Sequence, residues 1–188
     1  MSMFNIDGSG SRYEVIYRSV ENPRIELRFD SIRLILPKDF RGKPEDLLLS
    51  KRDWIERKLH EHEEMLRVAS GFELQRRCEY EFRSLVLGFL DHYSDELGVT
   101  YGRVRFRGMR SRWGSCSSRG NLSFNTLLSY LPDELVEYVV LHELAHRLEM
   151  NHSRRFWGIL EYYIPDWGER REILRHYWVR LHLEGLTD

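Results

Sequence analysis

The chain has 188 residues, of which 41% are hydrophobic, and a formal net charge of −1. This length suits one domain, or one compact domain with a small additional lobe, and the apolar fraction is sufficient for a hydrophobic core. The near-zero net charge excludes a protein that binds polyanions by bulk charge, and two cysteines are too few for a disulfide framework. No segment approaches the roughly 18 apolar residues of a membrane span, and the N-terminus lacks the pattern of a signal peptide. We therefore expect a cytoplasmic protein without a membrane segment.

The first part of the chain has the alternating pattern of a β-sheet. Apolar and charged residues alternate between residues 25 and 36, and Asn22-Pro23 marks a turn before them. The pattern predicts a small antiparallel β meander. We expect this meander to form an N-terminal unit, residues 1–43, which is followed by a larger domain, residues 44–188.

Helical patterns dominate the rest of the chain. Proline in a first turn, acidic residues near helix starts and apolar residues at spacings of three and four predict helices. The predicted helices span about residues 44–68 with a break near Ser50, 73–97, 132–150, 153–164 and 166–183. A hairpin is predicted before the third helix, with one strand at Val104 and Phe106 and a returning strand at Leu122 and Phe124. This order of elements predicts an α+β fold.

The segment HELAHRLEMNH, residues 142–152, carries the clearest functional signal. His142 and His146 are one helical turn apart and project from the same face, a spacing that allows two imidazoles to bind one zinc ion. Glu143 lies beside them, where it can hold a water molecule and accept its proton. The neighbouring positions are apolar, as expected for a buried active-site helix. The segment predicts a zinc-dependent hydrolase.

Two residues compete for the role of third metal ligand. Glu149 follows the same helical stripe, but on a straight helix it would lie about 10.5 Å along the axis from His142. His152 follows a predicted helix stop at Asn151, where the chain can turn back toward the metal. We favour His152, with Glu149 as the alternative. The fourth position would then hold water, as in catalytic rather than structural zinc sites.

Several segments together resemble a known family. RWGSCSSRGNLSFN, LPDELVEYVVLHELAH, NHSRRFW and IPDW are similar to the YgjP-like metallopeptidases, metal-dependent hydrolases related to the SprT/Spartan and WLM proteases. The resemblance is strong over residues 112–167 and weak around Trp54 and the N-terminal strands. It implies a zincin-like core and supports His152, since the histidine of the NHSxxFW segment is the third ligand in that family.

The implied reaction is hydrolysis of a peptide or protein substrate by a zinc-activated water, with Glu143 as general base. Tyr162, Tyr163 and Arg112 are candidates for the donor that stabilises the oxyanion. In related proteases an edge strand beside the metal helix binds extended peptide, and residues 120–125 are the candidate here. Trp113 and Cys116 match the family pattern and are expected to pack under the site.

An arginine-rich stretch suggests an alternative function. Six arginines and no acidic residue occur between residues 101 and 120, at positions 103, 105, 107, 110, 112 and 119. The cluster from Arg103 to Arg112 could contact nucleic-acid phosphates, as in a nucleic-acid-associated protease or a nucleic-acid-binding protein. The competing interpretation is a solvated strand face whose arginines pair with the two acidic helices. No recognition helix or zinc-finger spacing accompanies the cluster.

Overall fold

The computed structural model describes residues 2–3, 12–27 and 32–187, so part of the predicted alternation, at residues 28–31, lies outside the described chain. The described residues form an α+β fold, as the order of elements predicts. Two compact units divide the chain, residues 1–67 and 68–188. The boundary expected between residues 43 and 44 stays a prediction. In the described ranges, every helix is too short or too polar to cross a membrane.

The first unit contains a four-stranded sheet and helices. Its strands are β1 (Ser2–Met3), β2 (Arg12–Arg18), β3 (Arg24–Leu27) and β4 (Ile32–Pro37), in the spatial order β1-β2-β4-β3. Helix α1 (Pro44–Ser50) follows, and α2 (Arg52–Ser70) crosses into the second unit. The break near Ser50 is therefore confirmed.

Strand β4 occupies the interior of this sheet. It pairs antiparallel with β3 and parallel with β2, so the sheet is mixed rather than the antiparallel meander predicted. The reason is its apolar character: Leu34 and Leu36 on one face are fully buried and Ile35 on the other face is 2% exposed, and the strand that is buried on both faces takes the central position. Leu48 of α1 and Ile55 of α2 complete the core beneath it.

The second unit begins with a segment that the helical pattern did not predict correctly. Helix α3 spans Glu79–Leu97 and begins six residues later than expected, with Cys78 as its N-cap in a capping box with Glu81. Upstream of the cap, the amides of Gln75 and Arg77 donate to backbone carbonyls of a short 3-10 helix, Thr126–Tyr130. These tertiary hydrogen bonds hold the segment in a non-helical conformation.

A three-stranded sheet follows α3. Strands β5 (Val104–Arg107), β6 (Gly114–Cys116) and β7 (Leu122–Asn125) lie in the order β5-β7-β6. The hairpin joins β6 to β7, whereas β5 is parallel to β7. The prediction of an edge strand at residues 120–125 is wrong, because β7 is central and the edge strands are β5 and β6. The sequence GSC of β6 gives no alternating pattern by which it could be recognised.

Three helices complete the unit: α4 (Asp133–Ala145), α5 (Arg154–Tyr163) and α6 (Trp167–Leu183). Beyond its first turn, helix α4 is mostly buried and packs against α3, β6, α5 and α6, as expected for a helix with apolar residues on several faces. Arg170 of α6 ties these elements together, since its guanidinium contacts Glu137 at 2.7 Å and the Glu134 carbonyl at 2.8 Å. The same Glu137 accepts from the Tyr93 hydroxyl of α3.

Candidate metal centre

The chain turns sharply after α4. The helix ends at Ala145, five residues before the predicted end, and the Arg147 and Leu148 amides then bond carbonyls three residues earlier, at 2.8 and 3.0 Å. Among the described residues only glycines have positive φ, so the prediction of a left-handed stop at Asn151 is wrong. The tight turn through residues 146–149 reverses the chain instead and returns His152 to the side of α4.

This turn brings three imidazoles together. His142, His146 and His152 each present a ring nitrogen, and these nitrogens all lie within 4.8 Å of one another. The Nε2 atoms of His142 and His152 are 3.1 Å apart. Ligand nitrogens around a tetrahedral zinc lie roughly 3.4 Å apart when the bonds are 2.0–2.1 Å. The donor set therefore fits a metal ion.

The imidazole rings are held in place by packing against aromatic rings and by one hydrogen bond to the backbone. Nδ1–H of His146 donates to the Glu149 carbonyl oxygen at 3.1 Å, which leaves Nε2 available as a ligand. Nδ1 of His142 is buried and has no hydrogen-bond partner in the described chain. Its ring is instead wedged against Phe156, with the ring centroids 4.9 Å apart. Trp157 stacks on His152 at 5.5 Å.

The surroundings keep the first histidine neutral. Burial lowers the pKa of His142 to about 3, and the charges of His146, His152 and Arg171 act in the same direction. Burial also lowers the pKa of His152. Only the neutral imidazole has a lone pair for a metal. The site therefore favours the protonation state that a ligand needs.

Glu143 is the buried carboxylate of the site, with 6% of its surface exposed. Burial raises its pKa to about 8, an effect that the Arg112 charge and a hydrogen bond from the Cys116 backbone oppose. A cation bound by the histidines would oppose it further, because a nearby positive charge favours the carboxylate. Gly114 makes room for this side chain: a Cβ atom there would lie 2.6 Å from Oε1 of Glu143 and 2.7 Å from Cγ.

A buried amide fixes the loop that leads to Gly114. Asn125 is fully buried, and its Nδ2 donates to the carbonyls of Met109 and Arg112, both at 2.9 Å. Its Oδ1 accepts from the Leu127 amide at 3.1 Å. A satisfied buried amide of this kind holds backbone in one conformation. Asn125 thus positions the strand that lies beside Glu143.

The site lies in a cleft that continues on both sides. A cavity of about 600 Å³ extends toward α6, and another of about 440 Å³ extends along β6. Both are lined by His142, Glu143 and His152. A chain-like substrate could therefore pass the histidines with residues on either side of the reacting bond.

Of the other residues that the sequence suggested, only some lie at the site. Arg112 lines both cavities, but the structure does not bring Tyr162 or Tyr163 to the site. Tyr162 is 80% exposed and Tyr163 donates to the Glu96 carbonyl. Glu149 contacts the site through its backbone carbonyl oxygen, which accepts a hydrogen bond from His146.

Cys116 and Trp113 both lie near the site, as expected. Burial and the neighbouring Glu143 raise the pKa of the Cys116 thiol, and so oppose formation of the thiolate that a nucleophile would need. Trp113 lines the larger cavity.

Several residues of the site were missed by sequence reasoning. Tyr138 precedes His142 by four residues on α4, a spacing that could have placed it on the same face. Its ring lies 5.9 Å from that of His142. Gly114 lies between Trp113 and Cys116, which match the family pattern, and that position is the signal that could have found it. Arg171 gave no comparable signal, since its position depends on tertiary contacts.

The metal centre lies within a region that matches a known protein family. The family model for the YgjP-like metallopeptidase domain matches residues 72–177. No match was found among curated proteins. The chain is similar to the metallopeptidase zymogen abylysin of Pyrococcus abyssi, with 27% identity over 47% of this chain and 90% of that one, at a TM-score of 0.44. It is also similar to the zymogen jannalysin of Methanocaldococcus jannaschii, with 21% identity over 49% of this chain and 89% of that one, at a TM-score of 0.44.

The family match spans more than half of the chain and includes the histidines, the buried carboxylate and the strand beside it. The chain therefore belongs to the YgjP-like metallopeptidase family and is a metal-dependent peptidase.

Proposed function

We propose that the metal is zinc, held by His142, His146 and His152, and that Glu143 is the general base of peptide-bond hydrolysis. The observation that carries the proposal is the convergence of three imidazole nitrogens beside a buried carboxylate in a cleft. Three histidines with a fourth position left open are a typical ligand set of catalytic zinc.

Bound zinc would lower the pKa of a water ligand toward neutrality and polarise the substrate carbonyl. Glu143 accepts the proton of the attacking water and delivers it to the leaving nitrogen. Its carboxylate is held for this task by the Cys116 backbone on one side, and Gly114 leaves the space that it occupies. Arg112 lines the cleft and is the remaining candidate for the donor to the oxyanion.

Strand β6 offers a surface for an extended substrate. One edge of β6 pairs with β7, and its residues Gly114, Ser115 and Cys116 line the cavity beside the histidines. A peptide can add to such an edge by backbone hydrogen bonds, which bind many sequences equally. The edge strand therefore supports a peptide or protein substrate.

The first prediction concerns the ligands. The wild type is expected to hold roughly one zinc per molecule. His142→Ala and His152→Ala should each lose most of it, because the two histidines that remain cannot hold the ion firmly. Glu149→Ala should keep its zinc, since the carbonyl at that position is retained. Elemental analysis after dialysis measures the content, and circular dichroism checks the fold. Zinc retained by His152→Ala and lost by Glu149→Ala would identify Glu149 as the ligand.

The second prediction concerns the base. Glu143→Gln should retain zinc and lose hydrolysis by on the order of 10²–10⁴-fold, since an amide cannot accept the proton of water. The rate is measured on a quenched fluorescent peptide library. Glu161→Gln, an equal change at an exposed position of α5, is the matched control and should keep the wild-type rate. Equal rates in the two variants would remove Glu143 from the mechanism.

The third prediction concerns the space beside the base. Gly114→Ala should keep zinc but lower kcat/KM by about 10²-fold, because the new methyl group displaces Glu143 and misplaced groups are costly in catalysis. Gly88→Ala is the control: no atom lies within 4 Å of the added Cβ, and replacing a helical glycine should stabilise the protein by about 1 kcal/mol. Wild-type kinetics in Gly114→Ala would show that Glu143 does not need its observed position.

A nucleic-acid-associated peptidase is the second candidate, favoured by one observation on β5. Arg103, Arg105 and Arg107 are exposed, and among the described residues no ion pair joins them to an acid. The ion pairs of the competing interpretation are therefore not formed. Val104 and Phe106 face inward between them, so the three arginines share one outer face.

The fourth prediction tests this face. If it binds phosphates, affinity for single- or double-stranded DNA or for RNA should fall steeply between about 50 and 200 mM salt. Changing Arg103, Arg105 and Arg107 together to Gln should weaken binding without altering zinc content. The same changes at Arg76, Arg154 and Arg155 provide a control of equal charge. Absent binding at low salt, or equal loss in both triple variants, would leave these arginines as a solvated face.

A further inference from the structure

The larger cavity of the cleft is lined by both aromatic and cationic side chains. It occupies about 600 Å³ between α4, α6 and the loop before β6, beside the histidines. Tyr138, Val139 and Leu174 line it, together with Trp113, Trp157 and Trp178. Three arginines also line it, at positions 112, 171 and 175, whereas Glu143 is the sole acid among its described lining residues.

The aromatic walls are fixed by contacts among themselves. The rings of Trp113 and Trp178 meet edge to face at 4.9 Å, and Trp157 stacks on Trp167 at 4.4 Å. Such pairs hold their members in defined positions. The cavity is therefore formed before a ligand arrives, which reduces the entropy lost on binding.

Arg171 and Arg175 have little counter-charge from the protein itself. Arg171 lies over the Trp157 ring, 5.5 Å from its centroid, and no acid among the described residues forms an ion pair with it. Arg175 follows by four residues on α6, so the two like charges share one helix face, an arrangement that is unfavourable without a counter-charge. Arg175 contacts Glu172 at 3.1 Å, in an exposed pair that contributes little.

A carboxylate would satisfy this arrangement. Guanidinium groups bind carboxylates in a bidentate geometry, and the bond is stronger in a cleft than in bulk water. The apolar walls would at the same time bury a large side chain. The best ligand therefore carries both groups close together.

On the basis of the proposed peptidase function, we propose that this cavity selects peptides that place a carboxylate beside a large apolar side chain, with Arg171 binding the carboxylate and Arg175 assisting. Two parts of a peptide offer this chemistry. One is the free C-terminus of a chain that ends in an aromatic residue. The other is an Asp or Glu side chain next to an aromatic residue inside the chain.

Binding is measured first, separately from cleavage. The zinc-loaded Glu143→Gln variant, which should not turn over, is titrated with peptides of one sequence that end in phenylalanine as the free acid or as the amide. A second pair, both amidated, carries Glu or Gln beside an internal phenylalanine. Calorimetry or tryptophan fluorescence reports the affinity. At least one acidic peptide should bind about tenfold to hundredfold more tightly than its neutral partner, as expected for a charge-assisted hydrogen bond.

The arginine variants then assign the preference. Arg171→Gln in the same background should reduce the ratio of acidic to neutral affinity toward one, and leave binding of the neutral peptides nearly unchanged. Arg175→Gln should reduce it less. Arg76→Gln, which removes the same charge from an exposed position outside the cavity, should keep the full ratio. Circular dichroism confirms that each variant is folded.

The outcomes separate this inference from the proposed function. Preference in the first peptide pair identifies the terminal carboxylate, and preference in the second identifies an acidic side chain. Equal affinity within both pairs, no binding at all, or a preference that survives Arg171→Gln would overturn the inference. Wild-type cleavage without any charge preference would overturn it while the peptidase function stands. If acidic peptides bind preferentially but the wild type cleaves none of them, the inference stands and the peptidase function is overturned.

Discussion

The site depends on one packing contact, that of three imidazole rings with the phenyl ring of Phe156. The ring centroids of His142, His146 and His152 lie 4.7–4.9 Å from that ring, which is fully buried. Phe156 is in the first turn of α5, where the Ser153 hydroxyl accepts from its amide at 3.4 Å. A helix cap thus orients the residue against which all three rings rest, although His146 and His152 both lie beyond the end of α4.

The burial that organises the histidines also puts a carboxylate in an unfavourable place. Glu143 is buried near the C-terminal end of α4, where Leu141, Leu144 and Ala145 are also buried, and burying an ionised group is costly unless it is compensated. The fold supplies Arg112, the Cys116 backbone and the space at Gly114, and a bound cation would supply the rest. Stability is thereby exchanged for a reactive group, as is common at active sites.

The sequence predicted local features better than tertiary ones. The spacing of His142 and His146 and the Ser153 cap follow from short-range rules. The position at which α4 ends does not follow from such rules, because the turn at residues 146–149 is set by packing around the histidines rather than by Asn151. Strand β6 was missed, since a three-residue strand shows no period, and the order of the N-terminal strands was decided by which strand is most deeply buried.

The cleft has different chemistry on the two sides of the histidines, and this constrains how a substrate can lie. Toward α6 the walls are aromatic and cationic, whereas along β6 they include Ser111, Ser115 and Met150. A peptide added to the edge of β6 must lie along that strand, in parallel or antiparallel pairing, because backbone hydrogen bonds fix its path. Since the carboxylate-binding cavity lies on one side, strand addition and charge recognition cannot be satisfied independently. Together they would favour a single orientation of the peptide, and with it the bond that lies beside Glu143.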